Sequence, residues 1–266
     1  IIERVKQHSE KMFMPEGVNA FLNLARKESF WLDVTSPSLC SILSRRVSLG
    51  TLNLGIEGLL KLTRVFSRII DFRSRFTATH SSGVAAIAEA LSRLSGFNEQ
   101  ECLMMRVAGY LHDLGKLTVP EEILEKPAKL TDEEFNIIRR HTFFTYRILE
   151  HVDAFKDINT WASYHHEQIN GNGYPFHIIG EELSLGSRIM AVADVFTALT
   201  EDRPYRTGMT SERAIMILQQ MVEDMKLDSD VVSLLKLHLD EINSIRIATQ
   251  AIAVEQYQSF LQSISS

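Results

Sequence analysis

Residues 103–116 read Leu-Met-Met-Arg-Val-Ala-Gly-Tyr-Leu-His-Asp-Leu-Gly-Lys, a run that is apolar nearly all round and ends on His112, Asp113 and Lys116. A helix that is hydrophobic on every side is a buried helix, so this run carries an ionisable pair into the protein interior. Its neighbours are punctuated as helices too. Asn98 with Glu101 and Thr131 with Glu134 have capping-box spacing, Gly96 stops the preceding helix, and Pro15 suits a first helical turn. Helices are expected over 2–12, 15–28, 53–73, 77–94, 99–113, 132–151, 157–166, 185–199, 210–225 and 229–246, with a last one to about residue 263. Residues 33–51 read as more broken and as containing a linker. No alternating run reads as a strand, so the fold class is all-α, a helical bundle with additional helices at both ends.

The bulk properties agree. The chain of 266 residues has 45% hydrophobic and 23% charged residues, the profile of an ordinary globular protein. Only 13 glycines and 6 prolines are present, which favours long helices over turns. A net charge of −6 and a pI near 5.9 argue against DNA or RNA polymer binding, while leaving room for a local basic pocket. Cys40 and Cys102 form no CxxC pair, so neither a disulfide framework nor a thiolate zinc site is expected. Neither a membrane span nor a signal peptide is visible, and a reducing, cytoplasmic setting is the expectation. Because the chain opens with Ile1, it reads as part of a longer protein.

The histidines fall on apolar stripes. His80 heads Val84, Ile87, Ala88 and Leu91; His141 is read on a face with Ile137, Phe144 and Ile148; His165 and His166 follow Trp161 and Ala162. A lone buried histidine is most simply a core residue bonded to a carbonyl, but five on inward faces need another explanation. Asp194 sharpens it, because no other ionisable residue lies between Ile189 and Leu199 and an unpaired buried carboxylate costs several kcal/mol. Imidazoles and carboxylates meeting in a dry interior suit divalent first-row metals. The loop from Asn170 to Glu182, with Gly171, Gly173, Pro175 and Gly180, is the longest loop signal and a candidate functional loop.

His112-Asp113-Leu114-Gly115-Lys116 resembles the signature of the HD superfamily of metal-dependent phosphohydrolases. With His165-His166-Glu167, Gly173-Tyr174-Pro175, Ala193-Asp194-Val195 and Arg203-Pro204-Tyr205-Arg206, the match from about Thr77 to Thr207 is similar to the HD-GYP family, whose members hydrolyse cyclic di-GMP. The resemblance implies an HD-superfamily bundle holding two divalent metal ions, Fe or Mn foremost, with Zn, Ni and Mg also compatible. His80, His112, Asp113 and Asp194 would surround one ion, and His141, His165 and His166 the other, with Asp113 bridging. Phe76 stands where some members have a third-metal Glu, so two ions are expected and not three. Asn170 stands where an Asp is frequent.

The implied reaction is hydrolysis of cyclic di-GMP to pGpG, or onward to GMP, by a metal-bridging hydroxide. Asp113 and Lys116 would be catalytic, with Lys116 reaching a non-bridging oxygen or the leaving 3′-oxygen. Gly173, Tyr174, Pro175, Arg203 and Arg206 would join Lys116 in binding substrate, the arginines as planar forks for phosphate or guanine. A diguanylate cyclase or regulatory protein could dock at the Gly-Tyr-Pro loop. The alternatives are a cyclic GMP-AMP phosphodiesterase, a non-catalytic cyclic-dinucleotide or protein-binding module, and a dimetal oxygenase on the HD scaffold. The oxygenase reading lacks a place for the Gly-Tyr-Pro loop.

The expected domains are a helical segment over 1–50, the catalytic domain over 51–247 and a C-terminal helix over 248–266. Phe13-Met14-Pro15 followed by Phe30-Trp31 resembles the end of an upstream HD-like domain in tandem members. The terminal helices, 1–28 and 247–263, are candidates for homodimer pairing.

Overall fold

A computed structural model of the chain describes residues 1–10, 13–36, 54–72, 79–126, 128–202 and 207–265. Among these residues there are 13 α-helices and no strand. They divide into two compact units, Ile1–Asn53 and Leu54–Ser266.

The first unit contains α1 (Ile2–Gln7), α2 (Pro15–Leu24) and α3 (Glu28–Val34). Phe21, Phe30 and Trp31 meet edge to face with ring centroids 5.3 to 6.2 Å apart, and the Trp31 indole donates to the Ala25 carbonyl at 2.9 Å. Helix α3 falls partly in the stretch expected to be broken.

The second unit is built around α5 (His80–Leu94), which packs against α4 (Ile56–Phe72), α6 (Glu99–Leu111), α10 (Leu185–Thr200) and α13 (Leu239–Ser265). Val84, Ile87, Ala88 and Leu91 are all fully buried, as their spacing predicts. The burial extends round the helix to Ser81, Gly83, Ala85 and Ala86, whose small side chains let neighbours approach on every side. At the α5–α6 crossing a side chain on Gly109 would collide with Ala85.

Between these lie α7 (Glu121–Leu124), α8 (Asp132–Leu149) and α9 (Lys156–Ser163), and after α10 come α11 (Ser211–Glu223) and α12 (Ser229–Leu237). Both capping boxes form: Asn98 Oδ1 accepts from Glu101 N at 3.0 Å, and Thr131 Oγ1 from Glu134 N at 3.2 Å. Each satisfies orphan donors of a helix start and contributes about 1 kcal/mol. The helix expected over 229–246 is two: α12 stops at His238, whose backbone leaves helical values, and α13 then runs through residue 247 as one helix.

The face expected of α8 needs correction. Ile148 is 44% exposed, and the buried residues are His141, Thr142, Thr145 and Leu149. The inward stripe is rotated because Thr145 serves the backbone of the next element: its hydroxyl donates to the His112 carbonyl at 3.1 Å and accepts from Gly115 N at 2.9 Å. A polar stripe that pays its own hydrogen bonds is invisible to a pattern built on apolar residues.

Candidate metal centre

His112 caps α6, and Asp113 leads into a 3₁₀ turn over Leu114–Thr118. Gly115 sits where a Cβ would collide with the His141 carbonyl, so this turn lies directly on α8. His80 opens α5, His141 lies mid-α8, His165 and His166 follow α9, and Asp194 lies mid-α10. Five elements thus bring seven side chains to one place, six of them buried and His166 partly exposed.

Three of the histidines are held in the same way. His112 Nδ1 lies 2.7 Å from the Gly109 carbonyl, His141 Nδ1 2.7 Å from that of Ile138, and His165 Nδ1 2.7 Å from that of Ala162. At that distance each Nδ1 carries the proton, which leaves Nε2 as a bare lone pair. These bare nitrogens point at one another and at carboxylates: His141 Nε2 is 3.4 Å from His165 Nε2 and 3.3 Å from Asp113 Oδ1. His112 Nε2 lies 3.3 Å from Asp113 Oδ2 and is buried with no hydrogen-bond partner. Lone pairs facing lone pairs in a dry interior repel unless a cation lies among them. The donor set therefore fits divalent metal ions. Among the described residues three groups have ligand atoms within 4.8 Å of one another: His141, His165 and His166; His80, His112 and Asp194; and His112, Asp113 and His165.

Burial drives the His141 imidazole down to about 3 and also lowers His165 and His166, so all three are neutral, the state a ligand needs. Burial opposes charge on His80 as well, but Glu201 and Asp194 outweigh it and hold it at about 10. Its Nε2 lies 3.1 Å from Asp194 Oδ1, and its Nδ1 3.1 Å from both oxygens of Glu201. Burial works against the Asp113 carboxylate, yet the Lys116 ammonium beside it keeps it well below the usual range. Lys116 Nζ donates to Asp113 Oδ2 at 2.6 Å.

The Gly-Tyr-Pro loop is attached by Glu167, a buried carboxylate that accepts from Phe176 N at 2.7 Å and Ile178 N at 3.1 Å. Gly173 lies against the backbone of Glu167 and Gln168, where a Cβ would collide, so its close approach is to the chain itself. Tyr174 lies 4.9 Å from the His166 ring, centroid to centroid, and the Arg139 guanidinium lies over the Tyr174 ring, 4.5 Å from its centroid. Pro175 lines a cleft with Tyr174, Arg139 and Phe143. Asn170 Oδ1 accepts from Asn172 N at 2.9 Å, an Asx turn that starts the loop.

Sequence reasoning missed Glu201, Glu167 as a loop anchor, and Arg139. Phe76, Arg203 and Arg206 lie outside the described residues.

The fold and site define an all-α protein with a buried cluster of histidines and aspartates whose donors suit metal ions. A family profile described as HD domain matches residues 64–231. The 3′3′-cGAMP-specific phosphodiesterase 1 of Vibrio cholerae is 36% identical over 195 residues, which cover 73% of this chain and 45% of that protein. A cyclic di-GMP phosphodiesterase of Pseudomonas aeruginosa is 42% identical over 143 residues, covering 53% of this chain and 34% of that protein. The solved structure of an HDG"Y"P protein from Bdellovibrio bacteriovorus superposes with a TM-score of 0.53 at 15% identity, over 70% of this chain and 65% of that one, and is alike in fold. The chain belongs to the HD-domain family, among its HD-GYP members. It spans less than half the length of the two curated relatives. No helix among the described residues is long and apolar enough to cross a membrane.

Proposed function

We propose that this chain is a metal-dependent cyclic dinucleotide phosphodiesterase whose principal substrate is cyclic di-GMP, opened to pGpG and then cleaved to GMP. The observation that carries the reading is the convergence of His80, His112, Asp113, His141, His165, His166 and Asp194, with bare imidazole nitrogens on both sides of Asp113. We assign His80, His112, Asp113 and Asp194 to one ion and His141, His165 and His166 to a second, with Asp113 shared. Two ions of iron or manganese, when bound, would supply a nucleophile from water at neutral pH and offset the charge gathering on the attacked phosphate.

The chain's own residues do the rest. Asp113 presents Oδ1 towards His141 and Oδ2 towards His112 and Lys116, which makes it the hinge between the two halves of the centre. Lys116, partly exposed beside it, is placed to meet a non-bridging phosphate oxygen or the departing 3′-oxygen. In the reaction a water oxygen bonds to phosphorus, the bond from phosphorus to the 3′-oxygen breaks, and a proton passes to that oxygen. Tyr174, stacked under Arg139, forms the lip over His166. Gly173 and Pro175 shape that lip, and Arg203 and Arg206 are proposed to grip phosphate or guanine.

A second reading, preference for cyclic GMP-AMP, is favoured by the likeness to the Vibrio cholerae enzyme named for that substrate. The test is hydrolysis of both cyclic dinucleotides by protein loaded separately with Mn and Fe, with products separated chromatographically. Faster turnover of cyclic di-GMP supports the first reading, faster turnover of cyclic GMP-AMP the second, and no turnover by a metal-filled protein contradicts both.

A further inference from the structure

Between α4, α5, α6 and α13 lies a cavity of about 190 Å³ lined by Arg64, Arg68, Asp71, Arg106, Tyr110 and Gln256. It shares Arg64, Arg68 and Gln256 with a wider cleft of about 680 Å³ that adds Lys61 and Glu255. None of these residues belongs to the metal centre or to the proposed reaction.

Positive charge and unspent donors are in excess here. Arg64 and Arg68 are one turn apart on α4, where like charges repel. Neither has a carboxylate partner among the described residues: Arg64 lies 5.8 Å from the Tyr110 ring centroid, and Arg68 donates to the side-chain carbonyl of Gln256. Arg106 pairs with Glu89 at 3.3 Å, but Glu89 is shared with Arg93 at 3.6 Å, and Arg106 Nε is buried with no hydrogen-bond partner. An unsatisfied buried donor on a cation costs about 1–3 kcal/mol or more, so it marks a place where an acceptor is missing. The hydroxyls of Ser82 and Thr249 also line the cavity. The acidic member is Asp71, whose side chain accepts from Ser81 Oγ at 2.7 Å.

Guanidinium forks match phosphate oxygens in geometry and charge. The cavity is below the size of pockets that bury a whole drug-sized ligand, roughly 300–1,000 Å³. It suits a phosphoryl group whose remaining atoms lie in the wider cleft.

We propose that this cleft is a second ligand site that takes a phosphoryl anion, either inorganic phosphate or the phosphate of a small phosphomonoester. The proposal is independent of what the metal centre hydrolyses.

Calorimetric titration of the chelator-treated chain with inorganic phosphate and, separately, with GMP tests it, and the variant Arg64→Gln/Arg68→Gln separates this cleft from the metal site. Saturable one-to-one binding is expected, weakened by added salt and at least tenfold weaker in Arg64→Gln/Arg68→Gln. Binding of GMP alone assigns a phosphomonoester, and binding of both assigns the phosphoryl group itself, as does binding of phosphate alone. Absence of saturable binding by either probe, or undiminished binding in the double variant, overturns the proposal. Should the double variant lose helical circular dichroism, Glu255→Gln decides: removing that exposed carboxylate at the mouth must tighten binding, and an equal or weaker affinity overturns the proposal.

Discussion

His80 Nδ1 lies 3.1 Å from both carboxylate oxygens of Glu201, a residue seven positions after Asp194. Glu201 is buried and fixes the ring so that Nε2 faces Asp194. Carboxylates behind ligating imidazoles orient them and raise their basicity, and their loss typically lowers metal affinity 10–100-fold. Glu201→Gln is therefore expected to fold, with metal affinity down by about tenfold or more. Competition titration against a coloured chelator measures it; unchanged affinity would remove Glu201 from the support of the centre.

Asp113 and Lys116 touch at 2.6 Å but are assigned different work. Asp113→Ala is expected to lose both bound metal and turnover. Lys116→Ala is expected to keep its metal and lose about a hundredfold or more in kcat, the scale for one donor aimed at developing charge. Elemental analysis beside steady-state rates separates them, and metal loss in the lysine variant would contradict its role.

Thr145 holds the turn between the histidine-aspartate pair and α8 through bonds to the His112 carbonyl and Gly115 N. Thr145→Val keeps the shape and leaves both groups buried without that partner. The expected cost is about 1–3 kcal/mol in urea unfolding of the metal-free chain. A cost near zero would show that the hydroxyl is not what holds the turn.

Glu167 anchors the loop through two backbone donors, Phe176 N and Ile178 N. Glu167→Gln replaces a charged double acceptor with one acceptor and a donor facing an N–H. Because the Glu167 side chain bonds the loop backbone, KM is expected to rise more than kcat falls, with faster amide exchange across 171–182. A kcat loss at unchanged KM and exchange would place Glu167 in the chemistry instead.

Much of this was legible from patterns of residue type. Apolar spacing reveals the inward face of α5 because His80 lies on a stripe with Val84, Ile87, Ala88 and Leu91. The same rule misplaces the face of α8, where Thr142 and Thr145 are buried and Ile148 is not. Threonine inside a core is stabilised by the partner its hydroxyl finds, and that partner is distant in sequence. Glu201 was hidden for the same reason: it lies 121 residues from His80, and nothing near it in sequence signals burial. The backbone anchors of His112, His141 and His165 are each three residues upstream, so they follow from the helix itself once the faces are known.

The central claim is tested most directly by incubating cyclic di-GMP and cyclic GMP-AMP with protein whose metal content has been measured and separating the products over time. The account predicts about two ions per chain, conversion of cyclic di-GMP to pGpG and then GMP, and slower cleavage of cyclic GMP-AMP. A protein holding both ions that cleaves neither dinucleotide would contradict it.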